Sequence, residues 1–227
     1  MKLLIVRHAQ SRGNASGDYS VATHDALSRL GEEQAGSLAT ALSSYSFDRI
    51  AVSPLQRAME TIVPYLSVTR RKAEIWPEIA EACWQGEREA PCESWRPMPK
   101  ALASRFLPYF TFRNHVPVWP TPSETFGEGL CRVQETAGLL LEEAEKKTRT
   151  LLMVSHGFFI RELLNVILAR PEPDEFRHDN CGITSLGFRG AWQLNFCNSS
   201  HDEFVSSKPA ACDGSLPPTT HEVGFEG

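Results

Sequence analysis

The chain has 227 residues and a formal net charge of −5. That length supports one large domain burying roughly 70–75% of the unfolded chain's surface, with no need of disulfides. The acidic balance argues against general binding to nucleic acid or an anionic membrane, but not against a phosphorylated substrate. Charges are screened beyond about 8 Å at physiological salt, so a local arginine pocket outweighs the global sign.

The six cysteines (Cys83, Cys92, Cys131, Cys181, Cys197, Cys212) show no C-x-x-C and no paired Cys/His spacing. Neither a zinc site nor a disulfide framework is expected. Lys2 and four strongly apolar residues precede Arg7, too short a run for a signal peptide. The stretch 151–169 is broken by His156, Arg161, Glu162 and Asn165, so no helix there spans a bilayer. The expectation is a cytoplasmic protein with reduced thiols, no metal, no cofactor, no nucleic-acid partner and no membrane contact.

Leu3-Leu4-Ile5-Val6 reads as a strand buried on both faces and ended by Arg7-His8. Such a strand delivers both side chains to the carboxyl edge of a sheet, where open α/β folds bind ligands. A polar loop through Asp25 follows, in which Asn14 is either a binding group or a turn residue. Ser28 reads as the N-cap of a helix with Leu30, Gln34, Leu38, Leu42 and Tyr45 at helical spacing. Ile50-Ala51-Val52 is a second strand. Ser53-Pro54 predicts the cap and first turn of the next helix. Arg57 in that turn is either an edge cation or a solvated surface arginine. Ala73-Glu74-Ile75-Trp76 is a third strand, and its exit offers two carboxylates, Glu78 and Glu81.

From Cys83 to Thr125 prolines and aromatics interleave. The composition predicts an insertion, about 82–125, with one helix over roughly 100–110, folding as a cap over the site. Its aromatics form a small core of their own, a ligand platform, or both. A long helix is predicted over 123–147, a fourth strand over 151–154 ending in Ser155-His156-Gly157, a helix over 158–168 and a hairpin over 183–196. Beyond Cys197 no periodicity is visible, so 198–227 reads as a tail pinned by Phe204 or Phe225. The alternation predicts a doubly wound α/β domain over 1–200, its sheet mostly parallel with helices on both faces.

Arg7, His8, Arg57, Glu81 and His156 all fall at strand exits. Two arginines and two histidines in one cleft repel each other unless an anion lies between them. Arginine suits phosphate because its planar fork donates two parallel hydrogen bonds and stays charged. A neutral imidazole has a lone pair to attack phosphorus. Phosphoryl transfer then depends on positioning and on charge stabilisation, each cation worth on the order of 2–4 kcal/mol in the barrier. The departing alkoxide needs a proton, which a carboxyl beside a phosphate dianion can supply.

Arg7-His8-Ala9-Gln10-Ser11, with Asn14 following, resembles the R-H-G/A-x-[ST] signature of the histidine phosphatase (phosphoglycerate-mutase-like) superfamily. Leu27-Ser28 through Gly31, Gln34 and Ala35 resembles its L-[ST]-x-x-G-x-x-Q-A stretch. Ser53-Pro54-Leu55-Gln56-Arg57-Ala58 with Thr61 resembles its S-x-L-x-R-A-x-x-T segment. Ser155-His156-Gly157 resembles its second histidine motif, and Asn180-Cys181-Gly182-Ile183 its late asparagine before a strand. These stretches come in family order through about residue 190.

The resemblance implies His8 as the phosphorylated nucleophile. Arg7, Arg57, His156 and Gly157 become the phosphate pocket, with Asn14 a further contact. Glu81 aligns with the proton donor; Glu78 stays open because the spacing to Gly86 is one residue looser than the family pattern. No metal or cofactor is implied. Family mutases that depend on a cofactor carry a tyrosine-glycine after the acid and a nearby arginine pair. Here the region reads Glu81-Ala82-Cys83-Trp84-Gln85-Gly86-Glu87, and Glu87 and Glu89 disfavour an acidic substrate. Trp84 is the candidate substrate contact in the cap. The expected function is hydrolysis of a small phosphorylated metabolite through a phosphohistidine. A phosphoglycerate-mutase-type phosphotransferase and a non-catalytic phosphate-binding module are the alternatives.

Overall fold

The computed structural model describes residues 1–83, 103–113, 124–146, 148–169 and 176–206. Strands β1 (Lys2–Arg7), β2 (Arg49–Val52), β3 (Ala73–Ile75), β4 (Phe110–Phe112) and β5 (Thr150–Ser155) run parallel. Strands β6 (Ile183–Phe188) and β7 (Trp192–Ser199) form an antiparallel hairpin, with β6 beside β1. The sheet order is β4-β3-β2-β5-β1-β6-β7, an α/β architecture with an antiparallel edge.

The alternating side chains of β1 explain why its apolar run is unbroken. Leu4 and Val6 pack with Leu38 and Leu42 of α2 (Arg29–Leu42) and Ile62 of α3 (Gln56–Thr69). Leu3 and Ile5 point the other way, against Val133 and Leu140 of α4 (Phe126–Glu145) and Leu163 of α5 (Gly157–Leu168). A strand with helices on both faces has no polar side to show.

Register sets the site's floor. Arg7 lies opposite Ser155, and Val52 is paired with both Val154 and Ile75. The exits of β1, β2, β3 and β5 therefore stop at one level, and the residues just past them share one edge of the sheet.

The motif after Leu27 proves to be scaffolding. Ser28 caps α2 by accepting from the Gly31 N–H at 3.1 Å, and its own N–H donates to the Gln10 carbonyl at 2.9 Å. Gln34 Oε1 accepts from the Gln10 N–H at 2.9 Å. A Cβ on Gly31 would stand 2.0 Å from the Gln10 carbonyl oxygen, so only glycine lets α2 approach the loop after β1.

Four local expectations are corrected. The polar loop contains a short helix, α1 (Arg12–Ser16), because Ser11 and Asn14 close a capping box. Helix α3 starts at Gln56 rather than Pro54, and its N-cap Leu55 brings no side-chain hydrogen bond. Asp25 supplies one instead, accepting from the Gln56 N–H at 2.8 Å. The helix expected over 100–110 is replaced, among its described residues, by a 3-10 turn (Ser104–Phe106) and edge strand β4. Phe106 and Phe110 meet edge to face at 5.8 Å and bury into the core on the α2 and α3 side. Residues 201–206 form helix α6, whose Phe204 is 1% exposed and stacks on Tyr45 with ring centroids 4.7 Å apart. Trp84, most of the expected cap and Phe225 lie outside the described residues. No helix among the described residues is long and apolar enough to cross a membrane.

Candidate active site

His8 is the first residue past β1 and is buried. Its N–H extends the ladder to the Ser155 carbonyl at 2.9 Å. Nδ1 sits 2.7 Å from the Ala9 carbonyl, which can only accept, so Nδ1 carries the proton. Nε2 is then the lone-pair nitrogen, and the Nε–H of Arg57 donates to it at 3.1 Å. Three elements hold this geometry. Thr61 Oγ1 accepts from the Ala9 N–H at 2.9 Å and donates to the Arg57 carbonyl at 2.6 Å. Asn180 Nδ2 donates to the His8 carbonyl at 3.0 Å. Arg57 itself is ion-paired through Nη1 with Asp25, and its Cζ lies 5.9 Å from the Tyr19 ring centroid.

His156 is the N-cap residue of α5 and is fully buried, its ring centroid 5.0 Å from that of His8. Its Nε2 is hydrogen-bonded to Ser53 Oγ at 2.6 Å. The His156 Nδ1 and the Arg7 Nε are buried without a hydrogen-bond partner among the described residues. Buried polar atoms are ordinarily paired; here two orphans meet one cleft. Arg7 Nη1 donates to the His178 carbonyl. A Cβ on Gly157 would stand 3.3 Å from Arg7 Nε, so the bare glycine lets the first turn of α5, the positive end of its dipole, approach the arginine.

Glu81 reaches the same place from the β3 exit. Its Oε1 accepts from the Phe159 N–H of α5 at 3.1 Å and from the Ala82 N–H at 3.3 Å. Burial raises its pKa, against the lowering effects of Arg57, Arg7 and these two N–H groups. Glu78 faces elsewhere: its Oε1 lies 3.7 Å from Nη1 of Arg113, which in turn covers the Trp76 ring. The geometry separates the two carboxylates that the sequence left open.

Residues 3–199 match the family model of the histidine phosphatase superfamily (branch 1). The chain belongs to that superfamily. It is 30% identical over 172 residues to the adenosylcobalamin/alpha-ribazole phosphatase of Salmonella typhimurium (strain LT2), covering 75% of this chain and 81% of that one. With the protein of the same name from Escherichia coli (strain K12), identity is 37% over 81 residues, 36% of this chain and 40% of that one. Among solved structures, the alpha-ribazole phosphatase from Shigella flexneri matches with a TM-score of 0.64 and 25% identity, covering 88% of this chain and 97% of that one. The chain is a phosphatase of that superfamily.

In this histidine phosphatase both site imidazoles are held neutral. Burial, then the Arg57 cation, push His8 and His156 well below the ordinary 6.5, with Arg7 acting in the same direction on each. Asn14 sits at the site's margin, its Oδ1 accepting from Ser11 N–H at 3.1 Å and Asn180 Nδ2 at 3.3 Å, its Nδ2 donating to Tyr19 Oη at 2.5 Å. The structure thus gathers Arg7, His8, Arg57, Glu81, His156 and Gly157. Sequence reasoning missed Asp25 and Tyr19, which carried no motif signal, and took Ser53 for a helix cap although it stands inside a family-like stretch.

Proposed function

We propose that His8 is the nucleophile of a two-step hydrolysis. Nε2 attacks phosphorus, the N–P bond forms, and the ester P–O bond breaks. The Glu81 carboxyl gives its proton to the departing alkoxide. A water molecule then attacks the phosphohistidine, its proton passes to the Glu81 carboxylate, and inorganic phosphate leaves with His8 restored. Arg7, Arg57, His156 and the Gly157 N–H hold the equatorial oxygens, where charge accumulates in the transition state. The observation that carries this reading is the fixed tautomer of His8: Nδ1–H on the Ala9 carbonyl leaves Nε2 facing a phosphate-type arginine. An arriving phosphate offers Arg57 a charged acceptor and frees that lone pair. No step needs a metal, because arginines and imidazoles supply the donors.

We infer that the substrate is alpha-ribazole 5′-phosphate or a close analogue, the compound named in the relatives. Cytoplasmic residence belongs to the same reading, in keeping with the free thiols of Cys83, Cys131 and Cys181. A panel of alpha-ribazole 5′-phosphate, phosphoserine and 3-phosphoglycerate, assayed for both phosphate release and isomerisation, tests it. Hydrolysis is expected to be fastest on the first compound. Isomerisation of 3-phosphoglycerate outpacing its hydrolysis would mean a mutase. Phosphate binding without turnover of any ester would mean a binding module.

A further inference from the structure

Arg132 of α4 divides its whole guanidinium between Glu124 and the stretch 78–81. Its Nε and Nη2 reach Glu124 Oε1 and Oε2 at 2.8 and 2.7 Å. Nη1 donates to the carbonyls of Glu78 and Ala80, both at 2.8 Å, and Nη2 to the carbonyl of Glu81 at 2.9 Å. A guanidinium has five N–H donors, and each has an acceptor here. The pair is largely buried, with side-chain exposures of 12% for Arg132 and 9% for Glu124.

The segment it grips needs the help. Past the 3-10 turn at Pro77–Ile79 the chain has no regular structure through Cys83. Helix α4 packs closely on it: a Cβ on Gly129 would stand 3.0 Å from Cys83 Sγ and 3.3 Å from Ala82 Cβ. While its carbonyls are held by Arg132 of α4, the Glu81 carboxyl of this segment accepts from the Phe159 N–H of α5.

We infer that Arg132, locked by Glu124, is a positioning residue for the proton donor. The inference rests on reading Glu81 as that donor. Arg132 touches backbone carbonyls and a carboxylate of its own, not the phosphate pocket, so it acts by aiming Glu81. The cations that lower the Glu81 pKa are Arg57 and Arg7, and the Arg132 charge adds only the last of the lowering effects on His156. Lysine is no substitute, since three donors on one point cannot span five acceptors.

Mispositioning an acid harms a substrate whose leaving group needs a proton, and spares one whose leaving group does not. The test compares kcat on glycerol 2-phosphate and on p-nitrophenyl phosphate for R132K, E124Q and E81Q in the full chain, with thermal unfolding of each. For R132K, kcat on glycerol 2-phosphate is expected to fall on the order of 10²-fold, the loss typical of a misplacement of about 1 Å. On p-nitrophenyl phosphate it is expected to fall by less than about tenfold, and the alkaline limb of the glycerol-phosphate profile is expected to move. E124Q keeps an acceptor for Arg132 and is expected to show the same selectivity at about tenfold; it decides the matter if R132K does not fold. Equal losses on both substrates, or none, in R132K and E124Q while E81Q is selective would overturn the positioning role alone. An E81Q that loses both substrates equally would overturn the donor assignment and this inference with it.

Discussion

The Arg57 Nε donates to the His8 Nε2 at 3.1 Å, so the cation assigned to phosphate already touches the atom assigned to attack it. Asp25 fixes that arrangement from the other side by pairing with Arg57 Nη1 while its second oxygen takes the Gln56 N–H at 2.8 Å. Arg57→Lys keeps the charge but loses the planar fork, and kcat/KM is expected to fall on the order of 10²–10³-fold. Asp25→Asn is expected to fall between that variant and the wild type. Steady-state kinetics on one ester decide, and a wild-type value for R57K would remove Arg57 from the site.

Glu81→Gln separates chemistry from stability. Loss of the acid is expected to cost about 10²–10⁴-fold in kcat on an alkyl phosphate, within the usual range for general acid catalysis. Stability moves the opposite way. Burial raises the folded-state pKa of Glu81 above its ordinary value of 4.5, so the carboxylate opposes folding at every pH above that value. The neutral amide removes this term, and Tm at pH 8 is expected to rise. A lower Tm there would show that the carboxylate is stabilised by its surroundings.

His178 gives a stability profile with a definite sign. Burial takes its pKa from 6.5 to about 4, so between those values the unfolded chain binds more protons than the folded one. Stability therefore rises with pH through that window and levels off above it, a total of about 3 kcal/mol from this residue. His8 and His156 push in the same direction. Urea midpoints from pH 4.5 to 7.5 are expected to climb, and His178→Gln to climb less steeply. An unchanged slope in the variant would contradict the assignment.

Gly31→Ala tests the weld between α2 and the loop after β1. The new methyl would meet the Gln10 backbone oxygen at 2.0 Å, which no side-chain rotation relieves. A loss of about 1–3 kcal/mol is expected, as for overpacking elsewhere, with a weaker kcat because Gln10 lies two residues past the nucleophile. Denaturant unfolding that matches the wild type would place the helix elsewhere.

What the sequence showed was what local pattern can encode. Strands β1 and β5 stand out because four consecutive apolar residues end abruptly in polar ones, and both ends carry site histidines. Strand β4 was hidden because Phe110-Thr111-Phe112 is a three-residue edge strand in a proline-rich stretch, and its pairing with β3 is a long-range fact. Ser53 was misread for a related reason: Ser-Pro is a good local cap, yet the hydroxyl bonds His156, 103 residues away. Asp25 is one acid in a polar loop, and only the fold brings it to Arg57. Glu81 and Glu78 could not be told apart until α5 and Arg113 each claimed one.

The phosphohistidine is a covalent intermediate, and one trapping experiment detects it directly. Enzyme mixed with 32P-labelled ester, quenched in alkali within a turnover and digested, is expected to yield one labelled peptide, carrying an acid-labile, alkali-stable phosphoryl group on His8. His8→Ala is expected to give no label and no turnover while still binding inorganic phosphate. Label on another residue, or turnover retained by H8A, would contradict the account.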